Sequence, residues 1–492
     1  MGVIKRQGLK NTVSSYLGIM IGFVNLIIIQ PYFLTKEELG LTRVLYSFAL
    51  LVSVFVPLGI GNATTRFFPQ FKNEEKRHYG YFGFMLLFPL AGYLLSVVAL
   101  YLLKDFIFSQ YVKESPLFTE FFNYVFPLIF CLSFINVLSI YCFSNYKSTI
   151  PSYLNDIVVR ILTIAVVSLY YLKWFNLDQF ITAFVGIYAI QLLTLLCYIF
   201  WFDKPGFKID KSHFRLQKID KLIGYSFLLW LAGVAAIGLK YFDALMIGKY
   251  MPLSFVGIYT VAAFIPTIVE APLNAFEKIA ASRIAFAWKD NNMEEIRTIY
   301  RKSSLYLFIF GGFLFLNVNL NISDLLSFLP AGYEEGGTVV LILSTATLFN
   351  MATGLNAPIL FNSERYRTGA LFLVILAVVA VGLQMFFIPL LGMNGAAVAT
   401  GLSSVIYNSL LFWYVLRHFH LQPFGKENLQ VALSIILLLT GGYLLPDLSN
   451  RFISIAFKSS VVSLLYIVII YRLGVAREII DLLPEKFRKR QP

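Results

Sequence analysis

Apolar residues run through this chain in long unbroken stretches rather than in strict alternation. Fourteen stretches are long enough to cross about 30 Å of hydrocarbon, which takes roughly 20 residues of helix. They lie near 12–34, 41–62, 80–103, 121–142, 152–172, 179–201, 222–247, 254–276, 303–322, 337–360, 368–388, 393–416, 428–445 and 452–471. Strands of a membrane barrel alternate apolar and polar positions. These stretches do not, so the pattern predicts an all-α integral membrane protein of about 14 transmembrane helices. The thirteenth stretch is the weakest, because Thr440-Gly441-Gly442 interrupts it.

The pattern also repeats. A shift of 217 residues places Gly40 on Gly257, Arg66 on Arg283, Lys72 on Lys289 and Asn145 on Asn362. The apolar stretch ending near Phe202 then falls on the one ending near Phe419. This predicts two pseudo-symmetric six-helix lobes, 1–202 and 222–420, joined by a basic cytosolic linker over 203–221. Two extra transmembrane helices and a basic tail occupy 421–492. In membrane transporters such repeats usually enclose the substrate path.

Composition and charge sharpen the picture. The chain is 58% hydrophobic and 14% charged, where a soluble domain carries about a quarter charged residues. With the first residues placed in the cytosol and the side alternating at each helix, 30 Lys and Arg fall in inner segments and six in outer loops. That bias is the positive-inside rule and predicts both termini in the cytosol of an inner-membrane protein. The net charge of +13 then belongs to topology and to membrane lipids with anionic headgroups. It does not indicate nucleic acid.

Enzymatic signatures are missing. The sequence has no phosphate-binding lysine loop, no dinucleotide glycine fingerprint and no His-Glu-x-x-His, so neither an enzyme nor a cofactor is expected. Uphill transport would need an ion gradient, of protons or sodium, or a reaction elsewhere. Cys131, Cys142 and Cys197 fall within helices without paired spacing and read as small packing residues. His78, His213, His418 and His420 read as solvated loop residues, and no metal site is expected. The longest outer loop, 104–120, offers little material for the active site of a polymerase or ligase.

An ionisable residue inside the bilayer costs about 2.5–3.5 kcal/mol, so each one calls for a reason. Asp156 and Arg160 share a helix face at i,i+4, and Lys240 and Asp243 share one at i,i+3. Each pair either neutralises itself between packed helices or lends one member to a wet cavity. Glu270, between Pro266 and Pro272, is the candidate titrating carboxylate. Arg66 and Arg283, equivalent under the repeat, either clasp an anionic group or act as ordinary positive-inside residues. An arginine fork donates two hydrogen bonds to adjacent phosphate oxygens and stays charged. Arg43, at the outer start of the second helix, reads as a cavity residue or an interface anchor. Lys458 is expected to reach the interface by snorkelling.

Several segments resemble a known superfamily. Phe33 to Gly40 (FLTKEELG) and Pro57 to Phe68 (PLGIGNATTRFF) are similar to its first two helices. Phe242 to Tyr250 (FDALMIGKY), Val256 to Ala262 (VGIYTVA) and Leu391 to Ala399 (LGMNGAAVA) resemble later ones. On these the chain resembles the polysaccharide-transport, O-antigen flippase branch of the multidrug/oligosaccharidyl-lipid/polysaccharide exporter superfamily over about residues 1–420. The resemblance implies a V-shaped pair of lobes around a cavity. It further implies translocation of an undecaprenyl-pyrophosphate-linked oligosaccharide by alternating access, for lipopolysaccharide or another surface polymer. It implies work alongside glycosyltransferases and a polysaccharide polymerase. The family's cavity arginines correspond to Arg66 and Arg283, and Asp243 stands at its seventh-helix acidic position. Drug exporters of the superfamily carry a first-helix acid, whereas this chain has Asn25 nearest that place. A flippase for the cell-wall lipid precursor, expected to show more first-helix arginines, is the other reading, with a cation-coupled drug exporter beside it.

Overall fold

The computed structural model describes residue 14, residues 16–210 and residues 216–474. His213 and the tail beyond 474 lie outside them. Among the described residues every regular element is helical. Two compact units divide between Thr260 and Val261.

The first unit begins with α1 (Tyr16–Phe33), α2 (Lys36–Phe55), α3 (Ile60–Phe71) and α4 (Tyr81–Leu102). The short α5 (Lys104–Tyr111) and α6 (Pro116–Glu120) follow, then α7 (Val125–Ser144), α8 (Thr149–Tyr171) and α9 (Leu177–Phe202). α10 (Leu216–Tyr250) completes the unit, and α11 (Leu253–Phe264) straddles its boundary. α2 packs against α7 and α10, α7 against α3, α4 and α9, and α8 against α1 and α9.

Local chemistry sets the helix ends. α2 starts at a capping box: Glu38 N–H donates to the Thr35 hydroxyl (3.2 Å) and Thr35 N–H to the Glu38 carboxylate (2.9 Å). Such a cap contributes about 1 kcal/mol. α2 stops at Val56-Pro57-Leu58-Gly59, where Leu58 (φ 50°) and Gly59 (φ 79°) turn left-handed. The chain resumes as α3, so the stretch expected as one span over 41–62 is two helices. α3 continues to Phe71 because Ala63, Thr64, Phe68 and Phe71 form a buried stripe at helical spacing. Hydropathy falls before the helix does, and Arg66 therefore sits mid-helix rather than at the start of a loop.

Two helices are locally wound as π-helix, α1 over Val24–Ile29 and α8 over Leu154–Val158. Such segments leave backbone groups without their usual partners and often mark functional sites. The loop segment 104–120 is also built in: the Tyr111 hydroxyl donates to the Leu245 carbonyl (3.1 Å) and the Ser115 hydroxyl to that of Gly248 (2.5 Å).

The second unit holds α12 (Pro266–Lys289), α13 (Met293–Leu320), α14 (Ile322–Leu326), α15 (Gly337–Thr353), α16 (Asn356–Phe361), α17 (Tyr366–Phe419), α18 (Lys426–Gly442) and α19 (Arg451–Arg472). α17 is 54 residues long and carries the expected eleventh and twelfth spans on either side of Gly392 (φ 60°, ψ −138°). Val431, Ile435, Val462 and Tyr466 bury the last two helices against α13. Lys458 does not snorkel. It is 7% exposed, and its Nζ lies 3.3 Å from Asp324 Oδ2 and bonds Asp447 as well. The carboxylates come from α14 and the α18–α19 loop, which no pattern within one helix reveals.

Ten helices among the described residues are long and apolar enough to cross a membrane, eleven if the bent pair α11–α12 is one span. Leu95 and Leu102 on α4 are 64% and 76% exposed. Apolar surface on this scale is stable only against lipid. The protein is a multi-pass membrane protein.

Candidate functional site

Inside the first unit, α1, α2, α8, α9 and α10 converge on a polar cluster. The π-wound turn of α1 carries Asn25, and Gln30 follows it; both are buried. Arg43 lies two turns into α2, so it is no anchor at the helix start. Its Nη2 donates to Gln30 Oε1 (2.7 Å), and Gln30 Nε2 donates to Asn25 Oδ1 (3.1 Å). A guanidinium only donates, so it fixes the orientation of the Gln30 amide, and that amide in turn fixes which Asn25 atom faces it.

One turn further along α2, the Tyr46 ring stacks on Tyr188 of α9 (5.5 Å between centroids) and meets Tyr241 of α10 edge-on (5.9 Å). Arg43 interacts electrostatically with all three tyrosines and with Arg160. Among the described residues no carboxylate lies within ion-pair distance of Arg43. Its Nε is buried without a hydrogen-bond partner. Arg43, Tyr46 and Tyr241 nevertheless keep some accessible surface.

Arg160 of α8 differs. Asp156, one turn back, acts on it electrostatically. Arg160 Nη1 donates to the Gly18 carbonyl, and a Cβ on Gly22 would stand 2.0 Å from that nitrogen. Gly22 of α1 thus opens a slot for the arginine, and Gly18 packs on Asp156.

The remaining candidates lie elsewhere. Arg66 is exposed on α3 above the Phe67 ring (5.5 Å). Arg283 is exposed on α12 of the second unit, its Nε donating to Glu295 Oε1 (2.7 Å). Lys240 is exposed, whereas Asp243 is buried and accepts a hydrogen bond from the Tyr259 hydroxyl. Glu270 is partly buried on α12 and interacts electrostatically with Glu277. Sequence reasoning missed Gln30, Tyr46, Tyr188 and Tyr241. The available signal was the i,i+3 spacing of Arg43 and Tyr46.

A second buried cluster corrects the reading of His78 as solvated. His78 is 1% exposed, and its Nε2 lies 2.7 Å from Asp203 Oδ1. Asn73 N–H donates to His78 Nδ1 (2.9 Å), so the ring proton is on Nε2 and that nitrogen donates to Asp203. The Tyr141 hydroxyl donates to the other carboxylate oxygen. Burial alone would raise the Asp203 carboxyl, but hydrogen bonds from His78 and Tyr141, with the Lys72 charge nearby, hold it below its ordinary value. The cluster pins residues 203–210 across the α3–α4 turn, where Asp210 N–H donates to the Tyr79 carbonyl (3.1 Å).

An uncharacterised membrane protein of Methanocaldococcus jannaschii is 22% identical over 457 residues, 87% of each chain. The fold is similar to that of the lipid II flippase MurJ in an inward closed conformation, with TM-score 0.70, 15% identity, and coverage of 94% of this chain and 99% of that one. It is also similar to an inward-facing multidrug resistance MATE family transporter of the MOP superfamily, with TM-score 0.65, 13% identity, and coverage of 82% and 94%. A family model described as polysaccharide biosynthesis protein matches residues 4–281, more than half of the sequence. The chain belongs to this polysaccharide biosynthesis family.

Proposed function

We propose that the protein is a flippase moving an undecaprenyl-pyrophosphate-linked oligosaccharide, the repeat unit of O-antigen or another surface polysaccharide, across the cytoplasmic membrane by alternating access. The observation that carries this reading is Arg43. It is a cation held deep among membrane-spanning helices with no countercharge at ion-pair distance among the described residues. A lone buried charge is costly, and the cost is offset when an anionic substrate supplies the missing charge. Tyrosine rings and amides beside it suit a sugar, whose faces are apolar and whose edges are hydroxyls.

In this reading Arg66 of the first unit and Arg283 of the second are each a candidate contact for an anionic group, and the prenyl chain stays in lipid. Asp243 and Glu270 are the carboxylates for any coupling to protons or sodium. A drug exporter for organic cations is disfavoured because Arg43 repels its cargo. A cell-wall precursor flippase shares the ligand chemistry and is separated by experiment. In a strain lacking its own exporter, the wild-type protein restores surface polysaccharide. Arg43→Gln, inserted at the same level, fails to do so, and the double variant Arg66→Ala/Arg283→Ala fails as well. Full polymer from Arg43→Gln would refute the proposal. Rescue of cell-wall synthesis instead of surface polymer would shift it to the precursor.

A further inference from the structure

The charge balance of the first-unit cleft points to a narrower class of cargo. α2 brings Arg43, α8 brings Arg160 with Asp156, and α1, α9 and α10 bring the uncharged Asn25, Gln30, Tyr188 and Tyr241. Asp156 acts electrostatically on Arg160, whereas among the described residues no carboxylate stands at ion-pair distance from Arg43, the cation left to be matched. A single guanidinium balances a monoanion. A pyrophosphate diester brings two negative charges and would leave one of them buried and unmatched, which is expensive in low dielectric. The diphosphate is also bonded directly to the prenyl chain and is tied to the lipid boundary, whereas five helices surround Arg43.

Geometry agrees with charge. Gln30 accepts from Nη2 of Arg43, and Nε is buried without a hydrogen-bond partner. The N–H groups that Gln30 leaves over, Nε among them, can donate charge-assisted bonds to a carboxylate. Tyr46, one turn along α2 from Arg43, touches both Tyr188 and Tyr241, an aromatic group on which a sugar ring can lay its C–H face. We infer that the transported glycan is acidic, and that this cleft takes a carboxylate-bearing sugar of the hexuronate type. Arg43 holds the carboxylate while Tyr46 and Tyr241 pack on the ring. The inference rests on the flippase reading above and adds the substrate class.

The test uses the full-length protein reconstituted in lipid vesicles. Two fluorescent prenyl-diphosphate disaccharides are compared, identical except that the terminal sugar is glucuronate in one and glucose in the other. Flipping is read as loss of fluorescence to a membrane-impermeant quencher. The acidic probe is expected to move at least about tenfold faster, and Arg43→Gln to bring it to the rate of the neutral probe, with Arg43→Lys retaining part of the preference. Methyl glucuronide is expected to inhibit the wild-type protein where methyl glucoside does not, a readout that needs no variant. Equal wild-type rates for both probes would overturn the acidic-sugar inference and leave the flippase reading standing. A preference that survives Arg43→Gln would overturn the assignment to this cleft. Movement of neither probe above protein-free vesicles would overturn the flippase reading and this inference with it.

Discussion

Gly40 and Gly257, 217 residues apart, make the same contact in mirror roles: Gly40 is pressed against the Leu253 carbonyl and Gly257 against the Lys36 carbonyl. Lys36 and Leu253 are themselves 217 apart. This is the reciprocal pairing of an isologous two-fold contact, made within one chain by a repeated sequence. It locks the start of α2 to the start of α11.

A Cβ on Gly40 would fall 2.0 Å from the Leu253 oxygen, and one on Gly257 would fall 2.3 Å from the Lys36 oxygen. Backbone cannot yield as a flexible side chain does. Gly40→Ala and Gly257→Ala are each expected to destabilise by about 1–3 kcal/mol, and by similar amounts. Gly186→Ala on α9, where nothing lies within 4 Å, is expected to be neutral or stabilising because alanine is the better helix former. Thermal unfolding in detergent micelles measures all three. An unshifted midpoint for Gly40→Ala would remove the close-contact account.

The His78–Asp203 cluster holds a turn in which Arg77, His78 and Tyr79 have φ of 46°, 55° and 54° before Gly80 at 76°. Left-handed non-glycine residues cost about 1–2 kcal/mol each, so the cluster must offset strain. His78→Ala and Asp203→Asn are expected to cost about 1–3 kcal/mol at neutral pH and to expose residues 203–210 to protease. Because the Asp203 carboxyl is held below its ordinary value, its contribution is present above the ordinary carboxylate range. It is lost as pH falls through the lowered value. The gap between wild type and Asp203→Asn should therefore close in strong acid, as read from unfolding midpoints across pH. A gap that widened on acidification would reverse the assignment.

Lys458 and Asp324 are 8% and 16% exposed at the side chain, and Ser454 also donates to Asp324 (2.9 Å). Removing one partner of such a pair leaves a buried charge, at about 3–5 kcal/mol. Lys458→Met is therefore expected to loosen α19 from α14. The double change Lys458→Met/Asp324→Leu is expected to recover much of the loss, because the orphaned carboxylate is gone. Unfolding midpoints of the two variants decide it, and a double variant no better than the single would count against a buried pair.

Span positions were legible because lipid demands continuous apolar runs, and Asn25, Arg43, Asp156 and Arg160 stood out as interruptions of those runs. Their convergence was not legible, since it depends on how α1, α2 and α8 cross. Tyr46, Tyr188 and Tyr241 were hidden among 29 tyrosines, because a tyrosine in a membrane helix incurs little cost and so leaves no anomaly. His78 was misread for a related reason: Asp203 is 125 residues away, and a loop histidine looks solvated until its partner is placed. The repeat preserved position without preserving chemistry. Arg283 pairs with Glu295, whereas the position 217 residues before Glu295 is His78, which bonds Asp203.

Cross-linking from position 46 tests the cleft most directly. With Tyr46 replaced by the photoreactive benzoylphenylalanine, illumination in membranes containing a radiolabelled prenyl-diphosphate glycan should attach label to the protein. The added change Arg43→Gln should remove that labelling. The same group at Leu95, on the exposed face of α4, should capture bulk lipid regardless of Arg43. Labelling at position 95 alone, with none at 46, would place the glycan outside the Arg43 cleft and contradict the account.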